Sequence, residues 1–579
     1  MLLQLSGTMI RQQPQLGERP GAIPDFFSRP TVLIAAFCVI AAVVAVYGAS
    51  LNFQFILDDH RFTADPRLQS SGHIWEYFAN YVWAQFPGGP PTFYRPVFVL
   101  WLRANFLLSE LSPRGWHLLS IAKHLVVGVL LAWLAWKLLQ DRTAALLAGT
   151  LFVLHPAHTE SVAWVTVPDP LMAAGTLAAL LLYVRYAEAM WNEPADAAAS
   201  GRRSRKSARA KGKSLSSSRW LLGSAAVYFV ALLTKETAIV FPAVIFLLAL
   251  FVVPAVARGS TARKGDELGP RIRLREALRQ ILPFVVVTIL YFLLRLNALG
   301  GTFGAQSQHL SWRTVLLSWP SVLWFYVRAL LWPVRSYSYA DPTLIEHFSF
   351  HGVLLPCFGL SWVIAVGARA LWWCWKKAKR DVPSSETARL EGVLVIGTAL
   401  LILPILPALD LNALNPGDFL HGRYVYLPTA GLTLLLATGW HLAGKMRGAL
   451  LCAAGLVAVV FAVLTMSQET QWRDDLTVYS VAHKLAPHND PVARNLANAR
   501  VQVALQLGEE GRCSEAVPVL EQVTRDYPQE WYAWAGLGDC FVQLNDLPSA
   551  EKSLHRAADL SHEPRVIQQW EAVRARMGR

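Results

Sequence analysis

Two adjacent carboxylates, Asp58 and Asp59, sit in "FILDDHRF", a few residues past the first long apolar run. Neighbouring side chains point in different directions on any regular backbone, so such a pair divides its work. One carboxylate can act as general base toward a hydroxyl. The other can face a divalent metal (Mg or Mn), an arginine or a loop amide. Alone, the pair reads equally well as a solvated turn. Other ionisable residues gather at the ends of later apolar runs. Arg95 lies in "TFYRP", and His155, His158, Glu160 and Asp169 lie in "FVLHPAHTESVAWVTVPDP". Lys235 and Glu236 interrupt "LLTKETAIVFP", Arg295 closes a further run, and Arg423 and Tyr424 follow Asp410 in "HGRYVYLP". Arginines stabilise a phosphate by charge and paired donors. Carboxylates beside several arginines suit transfer from a phosphate-bearing lipid to a hydroxyl.

Each residue also has a plainer role. Lys235 and Glu236 can neutralise each other within a helical hairpin. Glu160 and Asp169 can cap helices. Arg295, with Arg328 and Arg335, can snorkel to a membrane interface. His155 and His158 stand three apart, but Pro156 divides them and no third ligand follows, so zinc is disfavoured. The six cysteines show no metal spacing either.

These residues must be positioned by membrane helices. Of 579 residues, 54% are hydrophobic and 16% charged, with mean hydropathy +0.33. A soluble domain carries roughly 25% charged residues. The apolar residues come in blocks of about 20, enough to cross a bilayer. The fold class expected is all-α: a polytopic helical bundle with a short α-solenoid tail. The expected spans are 31–52, 116–139, 143–155, 170–190, 219–234, 237–256, 281–298, 350–373, 391–409, 427–442 and 447–466. Residues 96–109 and 313–332 contain Arg103, Arg313 and Arg328 and are expected to lie at the interface. The polar residues 1–30 lack a cleavable-signal pattern, so the first run is expected to be a retained anchor.

The net charge of +13 is concentrated in connectors: "GRRSRKSARAKGK" (201–213), 257–279 and "KKAKR" (376–380). Basic connectors at 191–218 and 257–280 suit cytoplasmic loops. No nucleic-acid-binding pattern accompanies them, and nucleic acid is not expected as a partner. With the N-terminus in the cytoplasm, about eleven crossings put the loop 53–115 and residues 467–579 on the non-cytoplasmic face. In that tail Ala516 and Ala550, like Leu520 and Leu554, are 34 residues apart, the tetratricopeptide period. Cys513 and Cys540 fall at helix ends that antiparallel packing brings together. A disulfide there is expected in an oxidising compartment.

The stretches "FQFILDDHRF", "YRPVFVL", "WHLLSIAKHLVVGVLLAWL", "LLAGTLFVLHPAHTESVAWV", "LLTKETAIVFPAVIF" and "RYVYLP", with the repeats opening at Trp472, have an order that resembles a known family. It is that of the transmembrane-and-tetratricopeptide-repeat O-mannosyltransferases and their bacterial relatives, within the C-type membrane glycosyltransferase fold. The resemblance covers most of residues 30–565. It implies an inverting transferase that moves a mannose-like sugar from a polyprenyl-phosphate donor to a protein hydroxyl on the non-cytoplasmic face. It implies Asp58 and Asp59 as the catalytic pair, one of them the base, with Arg423 and Arg295 near the donor phosphate. No organic cofactor is implied. The loop "PVRSYSYADP" (333–342) replaces the family's acidic-aromatic motif, and "TVPDPLMA" keeps Asp169 among prolines. The short repeat array points to a bacterial inner membrane with site and tail in the periplasm, or to the ER membrane in a eukaryote. A lipid or glycan acceptor, or a non-catalytic membrane-anchored repeat scaffold, is the alternative.

Overall fold

The computed structural model describes residues 30–69, 74–86, 88–191, 203–251, 270–301, 309–334, 344–381, 384–414 and 420–578. All regular structure among the described residues is helical. The longer helices are α1 (Pro30–Tyr47), α2 (Pro96–Ser109), α3 (Pro113–Leu139), α4 (Arg142–Val153), α5 (Asp169–Trp191), α6 (Arg203–Thr234) and α7 (Phe241–Phe251). Then come α8 (Pro270–Ala298), α9 (Trp312–Leu331), α10 (Leu355–Asp381), α11 (Ser384–Ile402), α12 (Tyr426–Leu442) and α13 (Arg447–Glu469). The tail holds α14 (Asp475–Leu485), α15 (Asp490–Glu509), α16 (Cys513–Asp526), α17 (Trp531–Gln543), α18 (Leu547–Ser561) and α19 (Pro564–Arg576).

Eight of these helices are long and apolar enough to cross a membrane. A backbone in lipid must satisfy its own polar groups, and a helix does so within one segment. Each expected span coincides with a helix over its described residues (237–256 only as far as Phe251), but α6 and α8 begin at Arg203 and Pro270. Parts of the connectors expected at 191–218 and 257–280 are therefore helical. Residues 1–29, 192–202, 252–269 and the 335–343 stretch of the "PVRSYSYADP" loop lie outside the described residues. Helices approach closely where glycine permits. A Cβ on Gly431 of α12 would lie 2.4 Å from the Leu401 backbone nitrogen of α11.

The bundle has two distinct ends. At the basic end, Asp141 caps α4 through the amides of Thr143 and Ala144. Its Oδ2 lies 2.9 Å from His441 Nδ1 and 3.7 Å from Arg447. At the loop end lie the acidic pair, the 154–168 connector and residues 403–425. Helix α9 is long and apolar enough to cross, yet both its ends touch the loop end. Leu310 N–H donates to Asn412 (2.7 Å), Trp319 donates to the Leu409 carbonyl (2.9 Å), and His155 Nε2 lies 3.1 Å from the Leu330 carbonyl. Helix α9 thus contacts the 403–425 segment near its start and the 154–168 connector near its end. At the start of α2 Arg95 meets Glu236, and Trp116 of α3 donates to the Glu110 carbonyl just past its end.

Helix α4, with 12 residues, spans about 18 Å at 1.5 Å per residue, well short of a ~30 Å hydrocarbon layer. The connector after it makes up the difference. Every residue from Leu151 to Pro170 is buried. Side chains from neighbouring helices bond its backbone: Thr465 to the Leu154 carbonyl (2.9 Å), Ser120 to Val162 (2.8 Å) and Lys123 to Val167 (3.4 Å). Irregular backbone survives at membrane depth when protein surrounds it in this way.

In the tail, Ala516, Leu520, Ala550 and Leu554 are fully buried, as the 34-residue register requires. Helices α15–α16 and α17–α18 form two repeats, α14 precedes them, and Val566 and Val573 of α19 cover the last pair. Cys513 and Cys540 are buried free thiols. Both sulfurs border Gly508, where a Cβ would lie 3.8 and 3.2 Å from them. The expected proximity of the two cysteines is present; the bond is not. The tail starts on the loop end, where Trp472 packs with Phe53, Ile56, Ala163, Trp164 and Val167.

Candidate active site

The acidic loop follows α1. Phe53 and Ile56 are buried and anchor it. Leu57 adopts φ 54°, left-handed and unfavourable for a branched residue. A short helix then starts at Asp59. The two carboxylates differ sharply. Asp59 is 0% exposed. Its Oδ2 accepts from Ile56 N–H (3.1 Å), and its Oδ1 accepts from the Thr166 N–H (3.2 Å) and hydroxyl (2.6 Å). Burial pushes its pKa up to about 7, against the pull of those donors. Asp58 is half-buried. Of a metal, an arginine or a loop amide as the partner of the second carboxylate, Asp59 takes loop amides.

This bears on a metal. Among the described residues, no three His, Cys, Asp or Glu side chains are grouped to hold one. Both Asp59 oxygens already accept from protein donors, which leaves a poor ligand set for Mg or Mn.

The remaining charges pair across distant elements. Lys235 Nζ reaches both oxygens of Asp169 at 2.7 Å, and both residues are buried. Glu236 binds Arg95 through Nε at 2.9 Å and a second guanidinium nitrogen. The self-neutralising Lys235–Glu236 pair is therefore incorrect. Lys235 is extended (φ −156°, ψ 132°) between α6 and the turn opening α7, so the two side chains diverge. Arg295 donates to the Thr92 carbonyl (2.8 Å) and to the Tyr291 hydroxyl (3.3 Å).

Glu160 clasps the 421–424 segment. His421 Nδ1 lies 3.1 Å away, the Arg423 N–H donates at 3.1 Å, and the Arg423 guanidinium is 3.4 Å away. Arg423 stacks over Trp164 at 4.9 Å, and Lys235 sits 5.1 Å over the Tyr424 ring. Lys235 also feels the charges of Arg423 and Arg95. The predicted residues Arg95, Glu160, Asp169, Lys235, Glu236, Arg295, Arg423 and Tyr424 thus form one connected layer at the loop end. Arg95, Glu236, Arg295, Arg423 and Tyr424 are half-buried and reachable; Glu160, Asp169 and Lys235 are buried and hold them.

His155 and His158 are not in that charged layer. His155 bonds the Leu330 carbonyl, and His158 packs 4.6 Å from Phe152 and 4.5 Å from Tyr426. Two residues escaped the sequence reading. Lys123, buried on α3, lies 3.4 Å from the Val167 carbonyl, two residues before Asp169. Its signal was a lysine in the middle of an apolar span, where an ionisable group is expensive. His421 was visible only as the neighbour of Arg423.

Residues 507–568 match the tetratricopeptide repeat family model. The mouse (Mus musculus) protein O-mannosyl-transferase TMTC3 is 24% identical over 564 residues, covering 91% of this chain and 55% of that protein. The Drosophila melanogaster protein O-mannosyl-transferase Tmtc1 is 26% identical over 522 residues, 77% of this chain and 57% of that protein. The resemblance read from the motifs is borne out over most of the sequence. The chain spans about half the length of these curated relatives. Among solved structures, the archaeal oligosaccharyltransferase AglB from Archaeoglobus fulgidus, in complex with an inhibitory peptide and a dolichol-phosphate, aligns at TM-score 0.38 and 13% identity. That alignment covers 83% of this chain and 58% of that one.

Proposed function

We propose that the chain is a membrane glycosyltransferase that moves mannose or a similar sugar from a polyprenyl-phosphate carrier to a hydroxyl of a protein acceptor. One observation carries this reading: half-buried Asp58 shares the loop end with Arg95, Arg295 and Arg423, each held by protein partners. The names of the sequence relatives support the sugar and the protein acceptor.

In the proposed step, the acceptor oxygen attacks the anomeric carbon and its proton passes to Asp58. The bond from that carbon to the phosphate oxygen breaks, and the electron pair leaves on the phosphate. Arg95, Arg295 and Arg423 offset the growing negative charge. A single displacement inverts the configuration. Asp59 touches no reactant; it ties the acidic loop to Thr166. No step passes through a metal.

The basic end suits the cytoplasmic side, so the site and the repeats belong on the other face. In a bacterium that is the periplasmic side of the inner membrane, and in a eukaryote the ER lumen. The repeats are suited to holding an acceptor segment. Intact-mass analysis of glycoproteins, with and without this protein, tests the reading. A hexose-sized mass difference on proteins supports it. A difference on lipids or free glycans alone overturns the acceptor, and no difference leaves a scaffold.

A further inference from the structure

The start of the repeat tail is bonded directly to the acidic loop. Leu57 N–H donates to Asp475 Oδ1 at 2.8 Å, and His60 Nε2 lies 2.9 Å from Asp475 Oδ2. Three residues earlier in the loop, Gln54 N–H donates to the Arg473 carbonyl at 3.0 Å. Asp475 is the first residue of α14, and its neighbour Asp474 fixes that helix start by accepting from Thr477 N–H at 2.8 Å. One carboxylate therefore grips the loop on both sides of Asp58. The bond to Leu57 falls on the residue in the left-handed conformation, which a non-glycine residue keeps only when its surroundings hold it there. Apolar packing of Trp472 on Phe53 and Ile56, with Leu57 against the same cluster, docks the tail, but packing is non-directional, whereas the Asp475 bond fixes the direction of the Leu57 N–H.

We infer that Asp475 is a positioning residue for the transfer reaction: it holds the backbone at Leu57 and the His60 ring, and so fixes Asp58 between them. This rests on the glycosyltransferase reading. The tail is then a structural part of the catalytic rim as well as a surface for acceptors.

The test uses the full-length protein and two readouts. Hydrogen exchange, read without substrate, follows residues 54–60. Asp475→Ala is expected to speed exchange there roughly tenfold, with residues 490–560 unchanged. Transfer kinetics should show kcat reduced by about the same factor and the acceptor KM within about twofold. Asp475→Asn keeps an oxygen for the Leu57 N–H and should restore most of both. A change in KM alone overturns the inference in favour of acceptor capture. Equal losses in the Ala and Asn variants, or unchanged exchange in Asp475→Ala, also overturn it. Where Asp475→Ala does not fold, Asp475→Leu, close in shape and unable to accept a hydrogen bond, replaces it, and unchanged exchange in that variant overturns the grip. If the loop loosens but the wild type transfers no sugar, the transferase reading fails and the catalytic half of this inference with it. If the wild type transfers sugar and the loop stays tight, the grip alone fails.

Discussion

At the loop end, Lys235 from the α6–α7 junction reaches Asp169 at the start of α5, 66 residues away in sequence. At the basic end, Lys376, Lys377 and Lys379 lie over Trp372, Trp373 and Trp375 of their own helix, at 4.8, 5.0 and 4.1 Å. The first arrangement buries charge and pairs it between distant elements. The second keeps it local and close to solvent, as snorkelling side chains do at an interface. Cations are plentiful at both ends. Charges pair between distant elements at the basic end too, Asp141 with His441 and buried Lys137 with Glu188, but the pair buried on both sides, Lys235 with Asp169, belongs to the loop end. That is where half-buried groups can be held in place for chemistry, because their buried partners are immobile.

The difference is sharpest in the acidic pair, and the largest effect is expected there. Asp58→Asn should lower transfer by about 10²–10⁴-fold with little change in thermal stability. Asp59→Asn should chiefly destabilise the protein, because an Asn oxygen and NH2 cannot both accept from the donors that Asp59 now satisfies. Paired activity and thermal-unfolding measurements separate the two. If Asp59→Asn is stable and inactive while Asp58→Asn is active, the two roles are reversed.

The next effect concerns the buried pairs. Lys235→Ala strands the Asp169 carboxylate inside the bundle, and breaking such a pair costs about 3–5 kcal/mol. Changing Lys235 and Asp169 together to apolar residues should recover much of that loss. Thermal unfolding in detergent, as a double-mutant cycle, reads the coupling. A coupling near zero would mean that the loop end is no different from the basic end.

Part of this was visible in the sequence. Blocks of apolar residues gave the spans, the spacing of Ala516 and Ala550 gave the repeats, and charges at span ends marked the site. The partnerships were not visible. Adjacent Lys235 and Glu236 read as a pair until the extended backbone at Lys235 sends them to Asp169 and Arg95. Nothing in "LDDH" says which aspartate is buried; that is decided by Thr166 and by apolar packing with Trp164 and Trp472, far along the chain. A second acidic pair, Asp474–Asp475 in "WRDDL", reads as the start of a helix. Asp474 is indeed the cap, whereas Asp475 turns outward to the loop.

The pH response should be smaller and also confined to the loop end. Asp59 is pushed up to about 7 by burial, from an ordinary 3.8. His60 is held above its ordinary 6.5, first by its hydrogen bond to Asp475. Between 3.8 and about 7 the folded protein binds more protons at Asp59 than the unfolded chain does, so stability falls as pH rises through that window. The His60 contribution is complete below 6.5 and is lost as pH rises through its raised value. Both have the same sign. Exchange in residues 54–60 should quicken, relative to the intrinsic rate, between about pH 4 and 7, and further as pH rises through the raised His60 value. Combining Asp59→Asn with His60→Gln should flatten that trend. An opposite trend would mean that the carboxylate is held ionised.

The smallest effect is expected at the basic end. Lys376→Gln with Lys377→Gln removes two cations that lie over the tryptophans of their own helix. Exposed substitutions of this kind stay within about ±0.5 kcal/mol, and transfer activity should be unchanged. Membrane orientation is the more sensitive readout, since positive residues flanking spans set it. If these substitutions lowered transfer without altering orientation or stability, charge at the basic end would be coupled to the site across the bundle. Buried pairing between distant elements at the loop end would then be an incomplete account of how the site is held.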